Sequence, residues 1–599
     1  MAISRRRRRS VSSVKEDGGV AAHATAAQAY PKRDYIFLAL TTSLETNMSA
    51  TPASSPRQSY AEAYARFDLR TALSVLSENL EKGVNACIEC CDRYAGSERV
   101  ALIWESQNGH SETYTFDQLK ELSARFANLL LASGVKPGDR VAGFLPRTPE
   151  LFITIFGTLR AGAVYQPLFT AFGSKAIEYR VSASQAKVLV TDAANRAKLD
   201  GIESLPAIVT VAGNGADDLP AGDLNFWTEV QRQAPVFDPV IRSANDPFLM
   251  MFTSGTTGLA KPLFVPLKAI AAFVGYMRHA VDLRPEDSFW NIADPGWAYG
   301  LYYAVIGPLA MGHATLFYDG SFSADSLVRV IQKHNVTNLA GSPTAFRSLI
   351  AAGPESVQGI KGRLRVVSSA GEPLNPEVIR WFAKHLAVPI HDHYGQTELG
   401  MVLCNHHCLD HPVHMGAAGF ATPGYRVVVV DDDRVELSAG KPGALAVDRT
   451  KSPLFWFTGY EGMETPSLGA TYYLSGDTAE LNEDGSISFV GRADDVITSS
   501  GYRIGPFDVE SALMEHPAVV EVAVIGKPDP ERTEIVKAFV VLKANVLPTA
   551  ELSEELRLHV RNRLSAHAYP REIEFIEALP KTPSGKVQRF ILRNQEIAK

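Results

Sequence analysis

Thr253-Ser254-Gly255-Thr256-Thr257-Gly258, closed by Lys261, is the stretch on which the reading of this chain turns. It follows Phe248-Leu-Met-Met-Phe252, an apolar run of the length of a buried strand. Glycines at 255 and 258 allow a tight turn and close approach of the backbone to a ligand. Backbone N–H groups, hydroxyls and the ammonium of Lys261 together suit a polyphosphate. The spacing is not that of a P-loop, G-x-x-x-x-G-K-[ST], because only two residues separate the glycines and Pro262 follows the lysine. A surface turn would explain a bare Ser-Gly-Thr. It does not explain the full hexapeptide at the end of a buried strand.

At 599 residues the chain is too long for a single core, so several domain-sized units are expected. With 46% apolar and 21% charged residues the composition is that of a soluble globular protein. No stretch approaches the roughly 18 apolar residues of a membrane span; Tyr35–Leu40 and Val427–Val430 are strand-sized. A net charge of −7 implies no basic nucleic-acid face. Five sparse cysteines point to free thiols in a reducing, cytoplasmic setting. Residues 1–47 stand apart. Arg5–Arg9 open a net-positive segment without period, and Ser10–Ala29 lacks the apolar core of a signal peptide. Glu16 and Asp17 argue against a transit peptide. The segment reads as a disordered tail, or as upstream of a true start at Met48.

Farther along, residues 115–134 predict one amphipathic helix. Leu119, Leu122, Phe126, Leu129 and Leu130 share a face, Thr115 and Gln118 can form a capping box, and Gly134 ends the element. Strands at Val141–Leu145, Val188–Thr191 and Val366–Ser369 alternate with helices such as Pro149–Ala161, which argues an α/β architecture. From Gly424 short strands take over: Tyr425–Val430, Leu445–Val447 and Ile487–Val490. A compact unit closes the chain, with helices Pro506–Glu515 and Thr549–His567 and strands Val519–Ile525, Val536–Leu542 and Ile573–Glu577. The boundary is placed at Asp494-Asp495, dividing a tail (1–47), a large domain (48–493) and a small one (494–599).

Four further motifs follow the opening hexapeptide: His393-Tyr-Gly-Gln-Thr-Glu398, Tyr473-Leu-Ser-Gly-Asp-Thr478, Gly491-Arg-Ala-Asp-Asp-Val-Ile497 with Ser500-Gly-Tyr-Arg-Ile504, and Pro580-Lys-Thr-Pro-Ser-Gly-Lys586. In this order they resemble the adenylate-forming (AMP-binding) superfamily, from about residue 60 to the C-terminus. The resemblance implies an α/β fold with a large multi-subdomain adenylation domain and a small mobile α+β domain hinged at Asp494. It implies two half-reactions. ATP and a carboxylic acid give an acyl-adenylate and pyrophosphate, and the adenylate then acylates a phosphopantetheine thiol. ATP, Mg²⁺ and coenzyme A are the cofactors implied. Thr253, Ser254, Gly255, Thr256, Thr257, Gly258 and Lys261 would hold the phosphates, and Thr397 and Glu398 the phosphate and magnesium. Gly371, Glu372, Pro373, Asp392, His393, Tyr394 and Gln396 would surround the nucleotide, with Asp477 and Arg492 on the ribose and Arg503 nearby. Lys586 would serve adenylation alone. Ser500, Gly501 and Tyr502 would replace it along the pantetheine path after domain rotation.

The segment Trp290–Gly300 with Gly307–Gly312 resembles the acyl pocket of acetyl- and medium-chain acyl-CoA synthetases, which places Trp297, Ala298, Tyr299, Gly300, Ala370 and Gly395 at the acid. Acetate enzymes carry Trp and Val where this chain has Gly395 and Ala370, so an acid larger than acetate is expected, with Tyr299 limiting its length. Coenzyme A is the leading acceptor, because no carrier domain flanks the matched region; a separate carrier protein is the alternative. A nucleotide sensor without catalysis is a third reading, prompted by the unusual Ala260-Lys261-Pro262. The Gly-Lys context of Lys586 implies a lysine acetyltransferase as a further partner. Cys404, His406, His407, Cys408, His411 and His414 have ligand types that fit zinc, against a reading as neutral pocket-wall residues. Cys87, Cys90 and Cys91 are expected in the core.

Overall fold

A computed structural model describes residues 57–76, 82–213, 219–253, 260–500, 502–565, 567–582 and 585–598; side chains of Arg503 and Ala598 lie outside the description, as do the tail 1–47 and Met48. Two large sheets organise the major domain. The first has seven strands in the order Lys261–Pro266, Pro247–Thr253, Val164–Pro167, Arg140–Phe144, Val188–Asp192, Ala207–Val211 and Leu224–Asn225. All pairs are parallel except the edge hairpin formed by the first two. Parallel strands are covered on both faces, which is why they read as continuous apolar runs. Pro262 and Pro266 sit in the edge strand, where a missing ladder N–H is tolerated.

The second sheet has ten strands. Phe289–Asn291, Asn338–Gly341, Val366–Ala370 and Ile390–Gln396 run parallel. The chain then reverses through Thr397-Glu398-Leu399 into Gly400–Cys404, and every later pairing in the sheet is antiparallel. The buried helix Ala269–His279 joins one apolar cluster with Leu249 and Met251 of the first sheet and Met401 and Leu403 of the second.

The expected amphipathic helix is present as Phe116–Ala132. Thr115 and Gln118 form a reciprocal capping box, and Gly134 follows with φ +79°. Helix Pro149–Arg160 and strands Arg140–Phe144, Val188–Asp192 and Val366–Ala370 also match their sequence signals. Tyr425 lies just before the strand Val427–Val430, its hydroxyl donating to the carbonyls of Leu399 and Leu454.

The small domain has its own core, including Ile497, Val509, Leu513, Val524, Val540, Leu556 and Val560. Its helices are Pro506–Met514, Ala550–Arg563 and Arg589–Ala598. The second stops short of His567 because the Ser565 hydroxyl accepts the N–H groups of His567 and Ala568, which turns the chain. Among the described residues no helix is long and apolar enough to cross a membrane.

Candidate active site

The reversal at Thr397–Leu399 lies beyond the carboxyl ends of Val366–Ala370 and Ile390–Gln396, where parallel strands meet antiparallel ones. Ligands of open α/β sheets bind in the crevice outside the carboxyl ends of such strands. At one side stands the hairpin that carries the opening hexapeptide, with Lys261 paired to Thr253 across its two strands. Ser254, Gly255, Thr256, Thr257 and Gly258 themselves lie outside the described residues. Glu398 is buried and accepts the Tyr460 hydroxyl on Oε1 at 2.6 Å. The Lys261 ammonium sits 5.0 Å above the Tyr460 ring. Burial raises the pKa of Glu398, opposed by the Tyr460 hydrogen bond and by the charges of Lys261 and Arg492. Tyr460 went unread in the sequence; its only local signal is an aromatic after Gly459 at the end of a Phe-Trp-Phe run.

On the other side Asp477 and Arg492 face each other across two antiparallel strands, and Arg492 Nη1 donates to Asp477 Oδ1 at 3.0 Å. Asp477 Oδ2 accepts the Tyr394 hydroxyl and, at 3.1 Å, Gln396 Nε2. Gln396 is fixed in turn by the Ser475 carbonyl and by the Tyr473 hydroxyl on its Oε1. Burial pushes the Asp477 carboxyl up, while Arg492 and Tyr394 pull it down. Gly476, at φ +76°, leaves room for the guanidinium, which a Cβ would meet at 3.3 Å. Tyr394, Gln396, Asp477 and Arg492 thus form one network.

Along the third wall, Gly371 turns with φ +100°, and Pro373 follows Glu372 before the helix Pro376–Leu386. Glu372 accepts Thr344 Oγ1 and Arg347 Nη2, both at 2.7 Å. Asp392 takes the Leu374 N–H on Oδ2, while its buried Oδ1 has no partner among the described residues. Burial raises this carboxyl to about 8. His393 is not brought into the crevice. It is fully buried, with Nδ1 at 2.8 Å from the Tyr276 hydroxyl and Nε2 at 3.2 Å from the Asn405 carbonyl. Both nitrogens are committed to the core, and burial lowers its pKa to about 3, so the ring is neutral. This corrects its expected place at the nucleotide.

The acyl-pocket residues divide. Ala298 and Gly300 begin a helix that widens into a π-helical stretch, Leu301–Ile306, a form that recurs at functional sites. Gly300 is required there, because a Cβ would lie 2.1 Å from the Asp294 carbonyl. The π-helical hydroxyls hold the turn Thr397–Leu399: Tyr302 donates to the Thr397 carbonyl at 3.1 Å, and Tyr303 accepts the Met401 N–H at 2.9 Å. Tyr299 is half-buried against the Tyr303 ring, and its hydroxyl is buried. Trp297 packs instead on Phe169 and Phe172, in a different cluster. Ala370 is fully buried at its strand end. Gly395 does not hold open an indole-sized space. It sits at a β-bulge opposite Met401, where a Cβ would meet the Gly400 carbonyl at 2.1 Å and Met401 Sδ at 2.7 Å.

In the small domain Lys586 is exposed on a turn closed by Thr582, whose N–H reaches the Lys586 carbonyl and whose hydroxyl accepts the Lys586 N–H. Gly585 of this turn lies against Thr344, the residue that holds Glu372. Ser500 is bonded to Arg532, and Tyr502 stacks on His567 at 3.9 Å, both within the small domain; Gly501 lies outside the described residues. Asp494 is half exposed, 3.7 Å from Arg492, while Asp495 pairs with Arg593. Asn375 and Arg380 of the large domain meet Ser511 and Glu515 of the small one, both at 3.0 Å.

The Cys404–His414 side chains do not converge. Cys404 accepts from Thr422, His407 meets the Val367 carbonyl, His411 accepts the His406 N–H, and His414 pairs with Asp484. Cys87, Cys90 and Cys91 are buried; Cys87 and Cys91 approach Asp92, but that carboxylate is engaged by Arg160.

The chain matches the AMP-binding enzyme family over residues 91–460 and the AMP-binding enzyme C-terminal domain over residues 508–586. It is 39% identical to an acetyl-coenzyme A synthetase of Bacillus subtilis over 525 residues, 86% of this chain and 91% of that protein. It is 35% identical to the mitochondrial acyl-coenzyme A synthetase ACSM4 of Mus musculus over 550 residues, 88% and 93% of the two chains. A crystal structure of an acyl-CoA synthetase from Brucella canis superposes with a TM-score of 0.75 at 59% identity, covering 90% of this chain and 99% of that one.

Proposed function

The chain belongs to the AMP-binding enzymes and is an AMP-forming acyl-CoA synthetase; within that family we propose that its acid is a short- to medium-chain carboxylate larger than acetate. The observation that carries the site reading is the grouping of Glu398, Tyr460 and Lys261 at one end of the Tyr394–Glu398 segment and of Asp477 and Arg492 at the other. A nucleoside triphosphate needs those two chemistries at its two ends: acceptors for ribose hydroxyls, and cations for phosphates.

In the first half-reaction a carboxylate oxygen bonds to the α-phosphorus of ATP as the bond to pyrophosphate breaks. No protein nucleophile is required, so the side chains act by placing reactants and balancing charge. Asp477 accepts ribose hydroxyls, held by Arg492 and Gln396. Lys261 and the loop Thr253–Gly258 neutralise the leaving phosphates, and Lys586 the α-phosphate and acid. Glu398 fits a magnesium ion: it is a buried hard carboxylate with no salt bridge among the described residues, and magnesium takes one or two carboxylates plus phosphate oxygens and water. Such an ion would screen the phosphate charge. In the second half-reaction the thiol sulfur of coenzyme A bonds to the acyl carbon, AMP leaves, and Ser500, Gly501 and Tyr502 line the approach after rotation about Asp494. A cytoplasmic location belongs to the same proposal, supported by five free cysteines.

The larger-than-acetate reading rests on Ala370, where acetate enzymes carry the bulkier Val, and half-buried Tyr299 sets the length limit. Each buried CH₂ contributes about 0.8 kcal/mol, so kcat/KM should rise about three- to fourfold per methylene up to that limit. Pyrophosphate exchange across straight-chain acids from C2 to C10 measures the profile. A maximum at C4 or longer is expected; a maximum at acetate overturns the substrate class.

A further inference from the structure

The side chain the sequence did not single out, Tyr460, touches both charged groups at the phosphate end. Its position is set by the backbone around it. Residue 460 bridges to Leu263 on the edge strand, the Glu461 N–H donates to the Pro262 carbonyl at 2.8 Å, and the Tyr460 N–H donates to Thr465 Oγ1 at 2.9 Å. Gly459, at φ +121°, makes the turn, and a Cβ there would crowd the same hydroxyl at 3.2 Å. Pro262 therefore has a use in this chain. It lies in the edge strand that leaves the phosphate loop, and its carbonyl docks the segment that carries Tyr460.

From that anchor the ring reaches across to the catalytic turn, and Phe457 packs against it at 5.2 Å. The hydroxyl occupies one oxygen of Glu398 at 2.6 Å, and the ring face lies under Lys261. A carboxylate next to a triphosphate is repelled by it, and a long side chain has several rotamers. One short O–H···O bond fixes which oxygen is committed. A cation over an aromatic face is likewise held in direction without being neutralised, and so stays available to phosphate.

We propose that Tyr460 is a positioning residue for the adenylation half-reaction, orienting Glu398 toward a divalent cation with its hydroxyl and Lys261 toward the phosphates with its ring. The proposal rests on the reading of Glu398 as the metal carboxylate. The hydroxyl and ring roles separate by substitution: Tyr460→Phe removes only the hydroxyl, and Tyr460→Leu removes both.

The test uses full-length enzyme with Mn²⁺ as the probe, its affinity read by electron paramagnetic resonance in the presence of a non-hydrolysable ATP analogue, and analogue affinity measured without metal. Tyr460→Phe should weaken Mn²⁺ about tenfold, the change for losing a hydrogen bond to a charged group, and leave metal-free analogue affinity unchanged. Tyr460→Leu should weaken Mn²⁺ equally and also lower metal-free analogue affinity several-fold. The KM for the acid should stay constant in both, which a general loosening of the fold would not allow. Glu398→Gln is the reference. If it abolishes Mn²⁺ binding while Tyr460→Phe binds as wild type, the positioning role is wrong although the site reading stands. If Glu398→Gln itself binds Mn²⁺ normally, the metal reading falls and the proposal with it.

Discussion

Replacing Gly395 by alanine separates two accounts of why glycine stands there. If glycine only leaves pocket volume open, a methyl is harmless to folding and trims the longest acids. The structure says otherwise. A Cβ at 395 lies 2.1 Å from the Gly400 carbonyl oxygen, 2.8 Å from its carbon and 2.7 Å from Met401 Sδ. Met401 can swing away; the backbone cannot do so cheaply. To reach even 3.0 Å, a distance that real Cβ contacts essentially never undercut, the carbonyl must retreat about 0.9 Å. That oxygen belongs to the strand Gly400–Cys404, whose start is fixed by the bond between Met401 N–H and Tyr303. Overpacking typically costs about 1–3 kcal/mol, and backbone on the receiving side puts this case near the top. At about 2.1 cal/mol/K of unfolding entropy per residue, a domain spanning 48–493 loses about 1 °C per kcal/mol, so Gly395→Ala should melt about 3 °C lower. The same shift displaces Gln396, Thr397 and Glu398, so adenylation should fall for every acid alike. Differential scanning calorimetry and pyrophosphate exchange over the C2–C10 series give both numbers. An unchanged melting temperature with a shortened chain-length profile would refute this reasoning.

Lys586→Ala should lower ATP-dependent adenylation roughly 10²–10⁴-fold, as for a removed charge stabiliser, while synthetic acyl-adenylate plus coenzyme A still yields thioester; equal loss of both halves removes its assigned role. Asp494→Pro fixes φ near −65° and should retain pyrophosphate release while losing thioester formation, whereas two intact half-reactions would place the hinge elsewhere. Asp392 holds its proton in the folded state up to about pH 8, but releases it near pH 4 when unfolded. Between those values folding binds the extra proton, so wild-type stability drains as pH rises. Asp392→Asn should therefore gain on wild type in urea midpoint from pH 5 to pH 8; a constant offset would show that the carboxyl does not titrate this way.

Local chemistry made much of the fold legible. Thr115 and Gln118 announce their helix because a capping box is a contact between residues three apart. The runs at Val188 and Val366 announce parallel strands because burial on both faces leaves no polar alternation. Asp477 and Arg492 are fifteen residues apart, and their strands do pair. What was missed depends on contacts no window contains. Tyr460 meets Glu398 across 62 residues and Tyr276 meets His393 across 117. His393 stands beside Tyr394 in the motif, yet strand alternation sends the two side chains to opposite faces, one to the core and one to Asp477. Gly395 was misread for a similar reason: the direction of an absent side chain depends on a bulge that only the partner strand creates.

If one site makes an adenylate and then a thioester, the two products must appear in sequence on the same enzyme. Purified enzyme should be given butyrate, ATP and Mg²⁺, first without and then with coenzyme A, with products followed by mass spectrometry. Enzyme-bound butyryl-adenylate and about one equivalent of pyrophosphate are expected in the first stage, then butyryl-CoA and AMP in equal amounts on adding coenzyme A. Butyryl-CoA accompanied by ADP and phosphate, or no pyrophosphate until the thiol is present, would contradict it.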